Sequence, residues 1–204
     1  MTTVTLIRHG PTRWNLEGRI QGRRDMPLDD HGRRAVAQWR LPAALGDAAW
    51  YVSPLARARD TAEALGIVDA RVEPRLAEMD WGEWEGERLT ALRERLGEGF
   101  RCNESRGLDF LPPGGESPRM VMERVRSWLI EVAASGDPSA AITHKGVIRA
   151  VFADATGWDM RGPPPQRLHW SSAHAFRVDR RGNVTAGKLN IDLVPARAAT
   201  GGTT

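Results

Sequence analysis

Residues 4–15 read VTLIRHGPTRWN. VTLI is short, apolar and β-branched, the pattern of a strand buried on both faces. Arg8 and His9 close it, and Gly10 and Pro11 turn the chain away. In parallel α/β sheets, ligands gather at the carboxyl ends of strands and at the helix starts that follow them. A cation and an imidazole at such a place therefore make this stretch both the first structural element and the first candidate site.

Downstream, helical and strand signals alternate. Residues 29–45, DDHGRRAVAQWRLPAAL, read as a helix capped by Asp29 or Asp30 and broken at Pro42. AWYVSP, residues 49–54, is a strand, and LARARDTAEALG, residues 55–66, a helix stopped by Gly66. ARVEPRL, residues 70–76, suggests a third short strand before the Trp- and Gly-rich turn EMDWGEWEG, residues 78–86. Residues 88–116 mix a short helix with a Gly- and Pro-rich loop ending in FLPPGGES. From Ser117 to Ala134, Val121, Val125, Trp128, Leu129 and Val132 recur at helical spacing. SAAITH, residues 139–144, is a second buried-strand signal, followed at once by the helix GVIRAVFADATG. HAFRVD and VTAGKLN form a late strand pair around Gly182 and Asn183, and the chain from Pro195 onward reads as loose. Alternating strands and helices predict an α/β fold: a three-layer α/β/α sandwich on a mostly parallel sheet. One domain is expected over residues 1–195, with a flexible tail over 196–204.

The composition narrows the function classes. The chain has 204 residues, 41% of them hydrophobic, enough to bury a core. A lone Cys102 gives neither a disulfide nor zinc-ligand spacing. The first residues, MTTVTLIRHG, do not predict a signal peptide, and no stretch predicts a membrane span, so a cytoplasmic protein is expected. Net charge is +3, Lys145 and Lys188 are the only lysines, and no block of like charge or aromatic–basic stripe appears. No nucleic-acid partner is expected.

The polar residues at strand ends are chemically complementary. Neutral imidazole is a competent nucleophile toward phosphorus. Arginine and a second imidazole can meet the charge on a transferring phosphoryl group, and a carboxyl group can protonate the leaving oxygen. Arg8, His9, Arg57, Glu78 and His144 supply these groups, each at or near the end of a strand signal. Glu83 and Glu85 compete with Glu78 for the carboxyl role, Arg59 with Arg57, and Asn15 also suits a plain turn.

LIRHGPTRWN closely resembles the nucleophile motif of the histidine phosphatase superfamily, the phosphoglycerate-mutase-like proteins. The resemblance continues in order through GRIQGRRDMPLDDHGRRAVAQ, SPLARARDTA, LAEMDWGEWEG, PGGES and ITHKG, over residues 4–156. It implies that His9 is the phosphorylated nucleophile and that Arg8, Arg57 and His144 surround the phosphoryl group, with Asn15 adding a contact. It makes Glu78 the proton donor, with Gln21 and Gly22 lining the substrate side and Lys145 beside the pocket. A small variable cap is implied within residues 80–116, and no metal or cofactor. Trp81 and Trp84 read as packing or pocket-wall residues, and His31, His169 and His174 as structural or surface ones.

Two positions depart from the family pattern. Pro11 stands where Glu or Gln is usual, removing a side-chain contact and a backbone N–H. Lys145 stands where Gly is usual, which suggests a substrate with a second anionic group. The resemblance to the phosphatase branch, with a short segment before PGGES, points to a metal-independent phosphatase acting on a small phosphorylated metabolite. Phosphoglycerate mutation is the alternative, and an inactive phospho-ligand-binding member a third. The tryptophans suggest a surface that would support a homodimer.

Overall fold

The computed structural model describes residues 1–193, so the loose tail expected over 196–204 lies outside the described residues. Among these residues, seven strands form one sheet: β1 (Thr2–Arg8), β2 (Ala49–Val52), β3 (Arg71–Val72), β4 (Ser139–Thr143), β5 (Ser172–Val178), β6 (Val184–Ala186) and β7 (Ile191–Asp192). Their order is β3-β2-β4-β1-β5-β6, with β7 also on β5. Strands β3, β2, β4 and β1 run parallel, and β5, β6 and β7 extend the sheet antiparallel. The late strand pair is thus β5 and β6.

Among the described residues, six helices accompany the sheet: α1 (Arg13–Leu16), α2 (Asp30–Ala37), α3 (Ala56–Ala64), α4 (Leu89–Glu104), α5 (Pro118–Ser135) and α6 (Lys145–Thr156). Alternate residues of the central strands feed two cores. Val4, Leu6 and Ala141 pack with Val121, Val125, Trp128 and Leu129 of α5 and with Ile148 and Phe152 of α6. Ile7, Ala140 and Ile142 pack with Val36 of α2 and with Ala58 and Ala62 of α3. β1 and β4 are covered on both faces, which is why they read as continuous apolar runs rather than alternating ones. All five apolar positions singled out on α5 are buried. Ser117 caps that helix through Oγ, which accepts the Met120 N–H at 3.2 Å, and Pro118 opens it.

Three elements differ from expectation. α2, capped by Asp29, ends at Ala37 rather than at Pro42, because Trp39 turns into the core and the Arg40 N–H donates to Leu193 O at 2.6 Å. The third strand is only two residues long, since Pro74 opens a 3-10 turn. Residues 89–104 are a longer helix than the sequence suggested, kinked at Gly97. Its Leu92 and Phe100 face inward, and Phe100 stacks on Trp84 and Phe110 with centroids 5.2 and 6.0 Å away. Of the eight tryptophans, Trp39, Trp84, Trp128 and Trp158 are buried and Trp14, Trp50, Trp81 and Trp170 half-buried. Among the described residues, no helix is long and apolar enough to cross a membrane.

Candidate active site

Strand register brings the two histidines together. β1 and β4 are parallel neighbours with Arg8 opposite Thr143, and the His9 N–H donates to Thr143 O at 2.9 Å. The next residue of each strand is a histidine, and their ring centroids lie 5.1 Å apart. Both side chains are buried, His9 at 4% and His144 at 0% exposure.

Hydrogen bonding fixes the chemistry of each ring. His9 Nδ1 sits 2.6 Å from the carbonyl oxygen of Gly10, to which only an N–H can donate. That bond puts the proton on Nδ1 and leaves the Nε2 lone pair free. Gly10 is itself held by its N–H, which donates to Thr61 Oγ1 at 2.9 Å. His144 Nε2 lies 2.7 Å from Ser53 Oγ, which accepts the Leu55 N–H at 3.3 Å. Ser53 still has its own hydrogen to give to Nε2, and in the tautomer where it does so His144 carries its proton on Nδ1.

Six buried side-chain nitrogen or oxygen atoms among the described residues have no hydrogen-bond partner, and four of them belong to Arg8, Gln21, Arg57 and His144. Buried polar groups are otherwise almost always paired, so this concentration marks a place built for a polar ligand. Arg8 Nε and Arg57 Nε are donors, and His144 Nδ1 is a third in the tautomer with Ser53 donating to Nε2, a set that suits an oxyanion.

Arg57 is fully buried and locked. Its Nη1 donates to Arg24 O at 2.9 Å and its Nη2 to Gly22 O at 2.7 Å. Gly22 has φ +56°, and a Cβ there would overlap the Glu85 carboxylate. Glu85 accepts the backbone N–H groups of Arg23 and Arg24, so it fastens this loop. Gly22 therefore serves the site through its carbonyl, and Gln21 is buried beside it. Arg8 extends from β1 with its guanidinium 5.9 Å from the Trp170 ring, a cation–π contact. Burial lowers the pKa of both arginines, while the Glu78 charge raises it.

The three competing carboxylates occupy different places. Glu83 is exposed and Glu85 holds the loop, whereas Glu78 is buried with its Oε1 accepting the N–H groups of Met79 at 2.9 Å and Gly146 at 3.0 Å. Gly146 is required here because a Cβ would strike that oxygen. Arg124 steadies the segment by donating to Ala77 O at 2.8 Å and Glu78 O at 3.2 Å. Asn15 sits in a capping box: its Oδ1 accepts the Thr12 N–H at 3.1 Å, which leaves only its amide NH2 for a ligand. Lys145 opens α6, exposed, with Nζ 5.3 Å from the Trp170 ring. Arg59 is exposed. His31 and His169 are exposed too, and buried His174 is paired on both ring nitrogens. Trp84 is core and Trp81 lines a cavity. Pro11 leaves its carbonyl against Gly32, close enough to exclude any Cβ there.

The sequence did not single out Ser53, Thr61, Arg124 or Trp170. Ser53 and Thr61 lie within the SPLARARDTA stretch and were open to notice there; Arg124 and Trp170 lie outside every quoted motif.

Burial, then the charges of Arg8 and Arg57, push the His9 imidazole well below its ordinary range, against a smaller opposing effect of the Gly10 bond. A depressed pKa keeps His9 neutral as the medium becomes acidic. The acid limb of kcat/KM, corrected for substrate ionisation, should therefore lie well below pH 6.5. A limb centred at 6.5 or above would show that His9 titrates like a free imidazole.

A family model described as the histidine phosphatase superfamily (branch 1) matches residues 4–190. A protein named probable phosphoglycerate mutase GpmB, from Klebsiella pneumoniae, is 38% identical over 191 residues, 88% of this chain and 85% of that protein. A relative of the same name from Cronobacter sakazakii is 40% identical over 134 residues, 63% of this chain; there the chain spans 62% of the relative's length. Among solved structures, mycobacterial glucosyl-3-phosphoglycerate phosphatase complexed with VO3 superimposes with a TM-score of 0.78 at 25% identity, over 96% of this chain and 100% of that one.

Proposed function

This chain belongs to branch 1 of the histidine phosphatase superfamily, and we propose that within it the chain is a metal-independent phosphatase acting on small phosphate monoesters through a phosphohistidine on His9. The observation that carries this reading is the His9 ring beside buried Arg8 Nε, Arg57 Nε and His144 Nδ1, none of which has a partner among the described residues. Such donors are aimed in advance at charge on a phosphoryl group and need no reorganisation when it transfers.

The steps follow from the groups present. His9 Nε2 attacks phosphorus, a nitrogen–phosphorus bond forms, and the bond to the leaving oxygen breaks. Arg8, Arg57 and His144 hold the equatorial oxygens throughout, so the charge is met by side chains rather than a metal. Glu78, entering as the acid, gives its proton to the leaving oxygen. Water then attacks phosphorus, losing a proton to Glu78, and His9 is released.

The names of the sequence relatives favour a second reading, phosphoglycerate mutation. Both readings share the phosphohistidine and differ in what accepts the phosphoryl group. Hydrolysis is preferred because of the short segment before PGGES and the fold's likeness to a named phosphatase. We place the activity in the cytoplasm, on a small phosphorylated metabolite.

The test is phosphate release from p-nitrophenyl phosphate in the presence of EDTA, run beside 3-phosphoglycerate with and without a bisphosphoglycerate primer. Steady phosphate release is expected. Primer-dependent interconversion of phosphoglycerates with little free phosphate would replace the hydrolase reading with the mutase one.

A further inference from the structure

Next to the histidine pair lies a cavity of ≈ 490 Å³ that shares Glu78 and Gly146 with the site. That size suits a small ligand. Its lining is unusual in charge. Arg93 of α4 faces Glu104 of the same helix and is paired with it through Nε at 3.2 Å and Nη2 at 2.5 Å, so its charge is matched. Lys145 and Arg149 line the same cavity from α6, one turn apart and hence on one face of the helix. Neither has a carboxylate partner among the described residues: Lys145 rests on Trp170, and the Arg149 guanidinium lies 4.9 Å from the Trp158 ring. The remaining wall is largely apolar, with Trp81, Leu89, Phe110 and Met160.

Two cations without a carboxylate partner among the described residues thus lie at one side of a partly apolar chamber, with Glu78 at its edge. We propose that Lys145 and Arg149 together bind a second anionic group, carboxylate or phosphate, borne by the leaving group of the phosphomonoester, whose apolar body packs against Trp81 and Phe110. This rests on the proposed function for the direction of the chemistry, since Glu78 faces the leaving oxygen. It adds Arg149, and an apolar spacer, to what the substitution at Lys145 suggested.

The test compares kcat/KM for phenyl phosphate, a carboxyphenyl phosphate and phenylene bisphosphate. The ratio of a charged substrate to phenyl phosphate is read in the native chain, Lys145→Gln, Arg149→Gln and Arg149→Lys. Comparing ratios between proteins cancels both the electronics of the ring substituent and any loss of folded enzyme. Each Gln variant should lower the ratio about tenfold, the size expected for a charge-assisted contact, and Arg149→Lys should keep most of it. The arm that responds tells carboxylate from phosphate. Ratios that stay the same in both Gln variants, on both arms, overturn the proposal. Calorimetry on His9→Ala protein separates it from the reaction itself. Carboxyphenyl phosphate or phenylene bisphosphate binding about tenfold tighter than phenyl phosphate supports the subsite even if no substrate is turned over. Equal affinities for all three count against it.

Discussion

His9→Ala is expected to lower kcat for p-nitrophenyl phosphate by roughly 10⁴-fold or more, the scale of losses seen when a nucleophile is removed. No nearby group takes over its part. The other imidazole, His144, has Nε2 bonded to Ser53, and with its proton on Nδ1 it presents a donor where a lone pair would be needed. The variant should remain folded, because the side chain of His9 makes one hydrogen bond, to the carbonyl of its own neighbour, while its backbone keeps the bond to Thr143. Loss of that single contact costs about 1 kcal/mol. Rapid-quench labelling with a radioactive substrate supplies the second readout: native protein should carry acid-labile, base-stable phosphate on residue 9, and the variant none. Activity within tenfold of native, or label that persists in His9→Ala, would move the nucleophile elsewhere.

Much of the architecture was open to reading because the central strands are buried on both faces, so VTLI and SAAIT appear as short uninterrupted apolar runs. What such runs do not carry is neighbourhood. Arg8 lies opposite Thr143 although 135 positions in the chain order separate strand partners such as Val4 and Ser139, and no local pattern announces that pairing. The meeting of His9 with His144 was therefore anticipated from the order of motifs, and its geometry came only with the register. The length of α4 was hidden for a different reason. Gly97 and Gly99 interrupt its helical signal, and its inward residues, Leu92 and Phe100, are held by the aromatic cluster around Trp84 rather than by intrinsic preference. The three glutamates at 78, 83 and 85 show the same limit at a single turn. They are alike in type and share one short turn, and only the direction of each side chain assigns one to the site, one to solvent and one to the loop that carries Gly22. Trp170 follows the last site motif by many residues and reaches Arg8 and Lys145 through space, a contact without periodicity.

Arg57→Ala should be the most damaging change outside the nucleophile, lowering kcat/KM by about 10³-fold, as removal of a preorganised donor does elsewhere. Two effects combine. The Nε–H and the charge facing the phosphoryl group disappear, and the carbonyls of Gly22 and Arg24 lose their donor. Gly22 is buried, and an unpaired buried carbonyl costs about 1–3 kcal/mol, so a lower melting temperature should accompany the kinetic loss. Arg57→Lys separates the two. An ammonium restores charge but cannot span both carbonyls and still present a third N–H in the plane of a guanidinium, so stability should recover further than kcat. The acid limb gives an independent reading of the electrostatics. Arg57 is one of two cations that hold the His9 imidazole down. Its removal makes protonated His9 less unfavourable, raises that pKa, and should shift the acid limb of kcat/KM to higher pH in Arg57→Ala but not in Arg57→Lys. If Arg57→Ala loses stability yet retains kcat/KM within threefold at a temperature where it is folded, Arg57 is only a clasp for the loop. The cage would then have to be built without it, from Arg8 and His144 alone.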